Sequence, residues 1–317
     1  MIKMPAENLP ENAINIRDLK KEYKNPDGKG TFLALDSISV TIPRGSIFGL
    51  LGPNGAGKST FINILAGLAI KTSGEAIIWG NDIDKHPKAS RSSLGVVPQE
   101  LTIDPFFSPK ESLEQQAGLY GVRPKERNVD YILKMLDLDD KAEAYSRTLS
   151  GGMRRRLLVA KAMVHRPPIL ILDEPTAGVD IELRQQLWHY VRKLNENGTT
   201  IILTTHYLEE AEELCDTIAI LDHGKIVRCA PTQELLEDVD LKTITLKVSG
   251  HFDVNNETLK KMEANVDNNI IEIHFNPKVQ SSREILAEVE NSGVAISDFE
   301  VKGSSLETAF LSITSKK

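Results

Sequence analysis

Gly52-Pro53-Asn54-Gly55-Ala56-Gly57-Lys58-Ser59-Thr60 is the stretch whose reading decides the fold. It follows the apolar run Ile47-Phe48-Gly49-Leu50-Leu51 and precedes Phe61-Ile62-Asn63-Ile64-Leu65, which has helical spacing. Strand, glycine loop and helix in that order are the setting a phosphate-binding loop needs. The glycines accept backbone angles and close approaches that a Cβ would forbid, so successive N–H groups converge on one anion. A helix starting at the end of the loop adds the positive end of its dipole. Lys58 offers a full charge to the β- and γ-phosphates, and Ser59 a hydroxyl to Mg²⁺. The bland reading is a glycine-rich turn that happens to carry Lys-Ser. Every fixed position is filled and both flanks fit, so the stretch predicts binding of a nucleoside triphosphate.

Composition bounds what else the chain can be. Its 317 residues allow a large core and two domains. Acidic residues outnumber basic ones, 45 to 38, so nucleic acid is not expected as a bulk partner. The two cysteines, Cys215 and Cys229, lack metal-ligand spacing and read as reduced thiols of a cytosolic protein. Met1 to Asn12 is polar, without the apolar core of a signal peptide. No run approaches the 18 apolar residues of a membrane span, so any membrane role is expected to be peripheral.

Upstream of the loop, Ala13 to Arg17 reads as a short strand leading to Tyr23. Asn25 to Gly30 is a polar loop, and Leu33 to Ile42 ends in strand-like alternation. Tyr23 is a candidate to stack on a nucleobase, although an aromatic at a strand end also serves plain packing. Downstream, Ser73 to Gly80 looks like a hairpin strand. Leu94-Gly95-Val96-Val97-Pro98-Gln99 is a further strand ending in a polar amide. The Gln99 amide oxygen is a hard ligand that suits Mg²⁺ or its water; the same residue reads equally as a surface amide. From Ser108 to Leu136 the pattern turns helical, with Leu113, Ala117 and Tyr120 on one stripe and Val129, Ile132, Leu133 and Leu136 on a second. This block is expected to form a subdomain outside the main sheet.

Leu149-Ser150-Gly151-Gly152-Met153 comes next, followed by a helical stretch through Met163. Ser150 is a good N-cap, and the two glycines expose N–H groups to an anion. A capped helix with a flexible entrance fits as well, and Arg154-Arg155-Arg156 reads as a solvated face. Ile169-Leu170-Ile171-Leu172-Asp173-Glu174 is a wholly apolar strand ending in two carboxylates, as expected of a parallel sheet covered on both faces. Ligands bind at the carboxyl ends of such strands. There Asp173 can hold a Mg²⁺ shell and Glu174 can take a proton from an attacking water, unless the pair merely caps a helix. Thr199 to His206 repeats the design, delivering a histidine of a kind that, taken alone, is more often structural than catalytic.

Taken together, these stretches resemble the ATP-binding subunits of ABC transporters, from about Ile14 to Leu236. The match comprises the Walker A loop (Gly52 to Thr60), the Q-loop (Gln99), the signature (Leu149 to Met153) and Walker B (Ile169 to Asp173). It continues through Glu174, the D-loop Ala177-Gly178-Val179-Asp180 and the H-loop His206. Motifs in this order set the bland readings aside. The resemblance implies an α/β fold: a P-loop NTPase (ABC ATPase) core over residues 14–237 with an inserted helical subdomain at about 100–163. It implies Glu174, His206 and Gln99 as catalytic residues and Ser59, Gln99 and Asp173 around Mg²⁺. It further implies ATP held by Tyr23, by Gly52 to Thr60, by Asp180 and, from a second copy, by Ser150, Gly151 and Gly152. Phe32 is a weaker rival to Tyr23 at the base. Met153 replaces the usual glutamine, and the D-loop reads Ala-Gly-Val rather than Ser-Ala-Leu. Both variants look like the exporter group whose permease is a separate type-2 membrane subunit, which places the chain peripherally on the cytoplasmic face of the membrane. A soluble ABC ATPase of ribosomes or DNA, an importer ATPase and a P-loop kinase are the competing classes. About 90 residues separate Gly57 from Ser150, too few for the long coiled coil of the DNA-repair members, and the signature argues against a kinase.

Residues 241–317 read as a small α+β domain without a cluster of catalytic residue types. Strands are expected at Thr243–Ser249, Ile270–Phe275 and Val294–Val301, and helices near Glu257–Asn265, Arg283–Glu290 and Ser305–Ile313. Leu306, Ala309, Phe310 and Ile313 would form one apolar stripe on the last helix.

Overall fold

The computed structural model describes residues 9–25, 29–177, 181–237, 242–249, 256–277 and 279–302, with 306, 307, 310 and 313. In chain order the first elements are β1 (Asn12–Lys24), β2 (Thr31–Pro43), β3 (Ile47–Leu51), α1 (Lys58–Leu65), β4 (Ser73–Ile78), β5 (Asn81–Asp82), α2 (Pro87–Ser92) and β6 (Leu94–Val97). Three helices follow, α3 (Pro109–Leu119), α4 (Val129–Met135) and α5 (Gly151–Met163). Then come β7 (Ile169–Asp173), α6 (Ile181–Glu196), β8 (Thr200–Thr204), α7 (Leu208–Leu214), β9 (Thr217–Asp222) and β10 (Lys225–Pro231).

β3, β7 and β8 are apolar throughout or nearly so because they are covered on both faces. All residues of β3 and β8 are buried, as are Ile169 to Leu172 of β7. They lie in a sheet of order β10-β9-β3-β8-β7-β6, in which β9-β3-β8-β7-β6 run parallel. The order is not sequential, so crossovers bring the carboxyl ends of β3, β6, β7 and β8 to one edge. That edge is where an open parallel sheet presents ligands. Phe61 on α1, 1% exposed, packs the helix onto this sheet.

A second sheet, β2-β1-β4-β5, is antiparallel. The short strand expected at Ala13–Arg17 is in fact the first part of a 13-residue strand. Its register slips around Asp18, whose φ is 48°, so the pattern breaks in sequence while the strand continues. Bulges of this kind let one strand pair two partners while twisting.

In the helical block, Ser108 caps α3 with a complete capping box to Glu111. Leu113 and Ala117 are buried as expected. Tyr120 is not: it is 43% exposed and stacks face to face on His165, ring centroids 3.6 Å apart. Burial lowers the His165 pKa, and its Nε2 lies 2.9 Å from the Leu94 carbonyl oxygen.

The chain divides into two compact units, 1–230 and 231–317. The second opens at Pro231 and includes α8 (Thr232–Glu237). It continues through β11 (Lys242–Ser249), α9 (Glu257–Lys261), β12 (Asn265–Asp267), β13 (Ile270–Phe275), α10 (Ser282–Asn291) and β14 (Ala295–Lys302). Its antiparallel sheet has the order β12-β13-β11-β14 and buries Ile244, Leu246, Ile271 and Ile273 against Leu259, Ile285 and Val289. α9 is shorter than expected because Glu263 turns left-handed (φ 51°) and the chain becomes β12. Of the final helical stripe Leu306 is fully buried, and Ala309 lies outside the described residues.

Candidate functional site

The loop between β3 and α1 forms one wall of an open cleft of about 1000 Å³ in the first unit. Gly57 makes the loop possible: its φ is 112°, and a Cβ there would lie 2.6 Å from the Ala34 carbonyl oxygen. Lys58 heads α1, and its side chain folds back across the loop. Its ammonium donates to the carbonyls of Gly52 at 2.6 Å and Pro53 at 3.1 Å. The residue is only 7% exposed. Burial lowers its pKa, and the nearby carboxylates of Glu174 and Asp173 act in the opposite direction. Ser59 and Thr60 also line the cleft.

Three side chains from three strand ends meet across the cleft. Gln99 follows β6, Glu174 follows β7 and His206 follows β8. The Gln99 amide donates to Glu174 Oε2 at 2.8 Å, and His206 Nδ1 lies 3.3 Å from the same oxygen. A neutral imidazole with its proton on Nδ1 presents Nε2 as an acceptor. The imidazolium presents donors at both nitrogens, the form that suits a phosphate oxygen. Glu174 itself is held in a left-handed conformation, φ 46°. Its N–H donates to the Thr204 carbonyl at 3.0 Å and lies 3.1 Å from the Thr204 hydroxyl. That hydroxyl donates to Asp173 Oδ1 at 2.5 Å, a contact set by the register that places Asp173 beside Thr204. Non-glycine residues in sparse backbone regions concentrate at functional sites.

At the far end of the cleft Tyr23 and Phe32, at neighbouring strand positions, stack with ring centroids 5.6 Å apart. Lys21 Nζ lies 4.4 Å over the Tyr23 ring. The two aromatics thus form one platform rather than rivals. Leu33, Ala34, His223 and Gly224 complete the walls and were not among the residues expected from sequence. His223-Gly224 is the turn between β9 and β10, and the Gly224 N–H donates to the Ala56 carbonyl at 2.9 Å, strapping the turn to the phosphate loop. A His-Gly pair between two apolar runs was the available signal.

The signature does not line this cleft. Ser150 is the N-cap of α5, accepting from the Met153 N–H at 3.2 Å, and Ser150 and Gly151 are exposed while Gly152 is buried. The arginines behind it are not a solvated face. Arg155 is 3% exposed and donates to the Pro98 carbonyl at 2.9 Å, one residue before Gln99. Arg156 donates to the carbonyls of Leu136 and Asp137. Asp180 lies outside the described residues. Among the described residues no cluster of His, Cys, Asp and Glu forms a metal site by itself. Ser59, Gln99 and Asp173 offer oxygen only, a set that suits Mg²⁺, which usually completes its shell from substrate phosphates and water.

Residues 35–177 match the ABC transporter family. The chain is 34% identical to the linearmycin resistance ATP-binding protein LnrL of Bacillus subtilis (strain 168), over 96% of this chain and 98% of that one. This chain belongs to the ABC transporter ATP-binding family. A second relative of this ABC ATPase is the daunorubicin/doxorubicin resistance ATP-binding protein DrrA of Streptomyces peucetius, 35% identical over 96% of this chain and 93% of that one. Among solved structures, the dimeric post-hydrolysis state of the ATP-binding cassette MJ0796 bound to ADP and Pi is similar, with a TM-score of 0.61 and 27% identity. The likeness covers 69% of this chain and 98% of that one. The chain has the P-loop NTPase fold and is an ATP-binding, ATP-hydrolysing subunit.

Proposed function

We propose that this ATPase powers export of a substrate through a separate membrane permease, working as two copies that close on two ATP molecules. The observation that carries the reading is the exposure of Ser150 and Gly151 away from the cleft of Gly52 to Thr60. A γ-phosphate seated in that cleft has one wall of its own copy and needs the signature of another. ATP then favours the closed pair through its better contacts there, and hydrolysis removes the favouring term. Asp180 and the Tyr23–Phe32 platform add contacts to ATP. Ser59, Gln99 and Asp173 share its Mg²⁺. Glu174 accepts the proton of the attacking water, while Gln99 and His206 hold that carboxylate and follow the γ-phosphate.

Export is supported by the relatives' names, which include resistance proteins and a Nod factor export ATP-binding protein of Ralstonia nicotianae (strain ATCC BAA-1114 / GMI1000), 38% identical. The reading gives the path for substrate to another chain, and no helix among the described residues is long and apolar enough to cross a membrane. Contact with that permease places the ATPase at the cytoplasmic face. Purifying the full-length protein from solubilised membranes tests the reading. An integral membrane protein is expected to accompany it and stimulate its ATPase. Recovery with ribosomes or DNA and no membrane partner would overturn it.

We further propose a domain division of 14–237 for the ATPase, its helical subdomain at about 100–163, and 241–317 for the tail. The tail's buried cluster, Ile244 to Val294, draws on no residue of the first unit. Units with their own core usually separate at polar linkers. Deleting 241–317 is therefore expected to leave a folded ATPase with unchanged affinity for ATP. Sedimentation of full-length and truncated chains with ATP then shows whether the tail supports the pair. Insoluble truncated protein would reject the boundary.

A further inference from the structure

Glu210 lies in the first turn of α7, four residues after His206, and is fully buried. Removing a carboxyl from water is unfavourable unless partners compensate. Trp188 Nε1, on α6, donates to its Oε1 at 3.0 Å. The hydroxyls of Thr205 and Thr176 and the guanidinium of Arg184 favour its ionised form, against the burial that raises its pKa. Both threonines are only 1% exposed. Glu210 Oε2 and Thr176 Oγ1 are each buried without a partner in hydrogen-bond geometry, as is Arg184 Nε. Arg184 also stands over the Tyr207 ring at 4.6 Å. A hydroxyl can rotate to donate to a carboxylate, so Thr176 has the donor that the unpartnered Glu210 oxygen lacks.

The chain positions of these groups give the cluster its meaning. Thr176 is two residues beyond Glu174, Thr205 immediately precedes His206, and Trp188 and Arg184 sit on the helix that follows the segment carrying Asp180. One buried carboxyl is therefore bonded to α6 through Trp188 and influenced by a threonine from each of the segments that follow β7 and β8. We propose that Glu210 is a positioning residue for hydrolysis, tying the Glu174 and His206 segments to α6 so that the two side chains keep their mutual geometry. It is fully buried and does not line the cleft. It acts through Thr176 and Thr205, and it holds the segments without contributing to nucleotide affinity.

This inference rests on the roles proposed for Glu174 and His206, which the Glu174→Gln variant tests separately. The experiment compares Glu210→Ala, Glu210→Gln and Trp188→Phe in the full-length protein, measuring kcat, KM and the affinity of the protein for ATP. Glu210→Ala is expected to lower kcat by about tenfold or more with ATP affinity unchanged. Glu210→Gln, which keeps the acceptor for Trp188 and offers Thr176 a donor, should restore most of the rate. Combined with His206→Ala, the Glu210→Ala change should add little further loss, since both act through one constellation. Turnover of Glu210→Ala within about twofold of the wild type, losses that multiply in the double variant, or an ATP affinity that falls as far as kcat would each overturn the proposal. If Glu210→Ala does not fold, Trp188→Phe decides the matter. It removes the 3.0 Å bond while keeping the bulk, and a kcat equal to the wild type would overturn the proposal.

Discussion

Replacing Glu174 with glutamine is expected to abolish ATP turnover while leaving ATP bound. The amide retains the shape and can still meet Gln99 and His206, which lie 2.8 and 3.3 Å from Oε2 in the wild type. What it loses is the ability to accept a proton, and removal of a general base typically lowers a rate ~10²–10⁴-fold. The phosphate loop is untouched, because Lys58 makes its hydrogen bonds to the carbonyls of Gly52 and Pro53. ATP that is bound but not consumed should then hold two copies together. Steady-state hydrolysis and sedimentation with ATP check both halves of the expectation. Turnover near the wild-type rate would remove Glu174 from the role of base.

Lys58→Ala and Ser150→Arg should separate the two surfaces that ATP joins. The Lys58 ammonium is buried beside the loop that receives the phosphates, and hydrogen bonds to charged groups contribute about 1.5–3 kcal/mol. Its loss should weaken nucleotide binding to a single copy by roughly 10- to 100-fold, at 1.4 kcal/mol per decade. Ser150 is an exposed N-cap outside the cleft. Arginine there forfeits a cap worth about 1 kcal/mol, too little to unfold the chain, and places a long side chain on the face offered to the other copy. Binding of ATP to the single copy should be unchanged, with the ATP-dependent pair and hydrolysis both lost. Equilibrium binding measured at low protein concentration, set beside sedimentation, distinguishes the two variants. The same loss of single-copy affinity in both would show that the signature does not act in trans.

Much of this molecule was legible before any coordinates. The strand, glycine loop and helix around Gly52 to Thr60, the apolar strand ending at Asp173 and the cap at Ser150 are local features. Their information lies within a few residues, and the chemistry of each follows from residue type and spacing. Gln99, Glu174 and His206 were each ambiguous alone, and only their order along the chain gave them a common meaning. Their contact on one carboxylate oxygen depends on the strand order, which sets β6, β7 and β8 side by side.

Other features belonged to the tertiary structure alone. Arg155 reads as solvated yet is buried against the Pro98 carbonyl, and Tyr120 reads as core yet is exposed. Periodicity assigns faces on the assumption that charge seeks water, and it has no means of seeing an acceptor that packing delivers from elsewhere. His223 and Gly224 reach the cleft because the turn between β9 and β10 carries them there. Glu210 is the extreme case: in sequence it is one of two adjacent glutamates at a helix start, and in the fold Trp188 and two threonine hydroxyls enclose it. Residue type and spacing determined what chemistry was present. Which polar groups left water, and whom they met there, depended on the long-range packing of β7, β8, α6 and α7, because desolvation is a property of the surroundings and not of the residue.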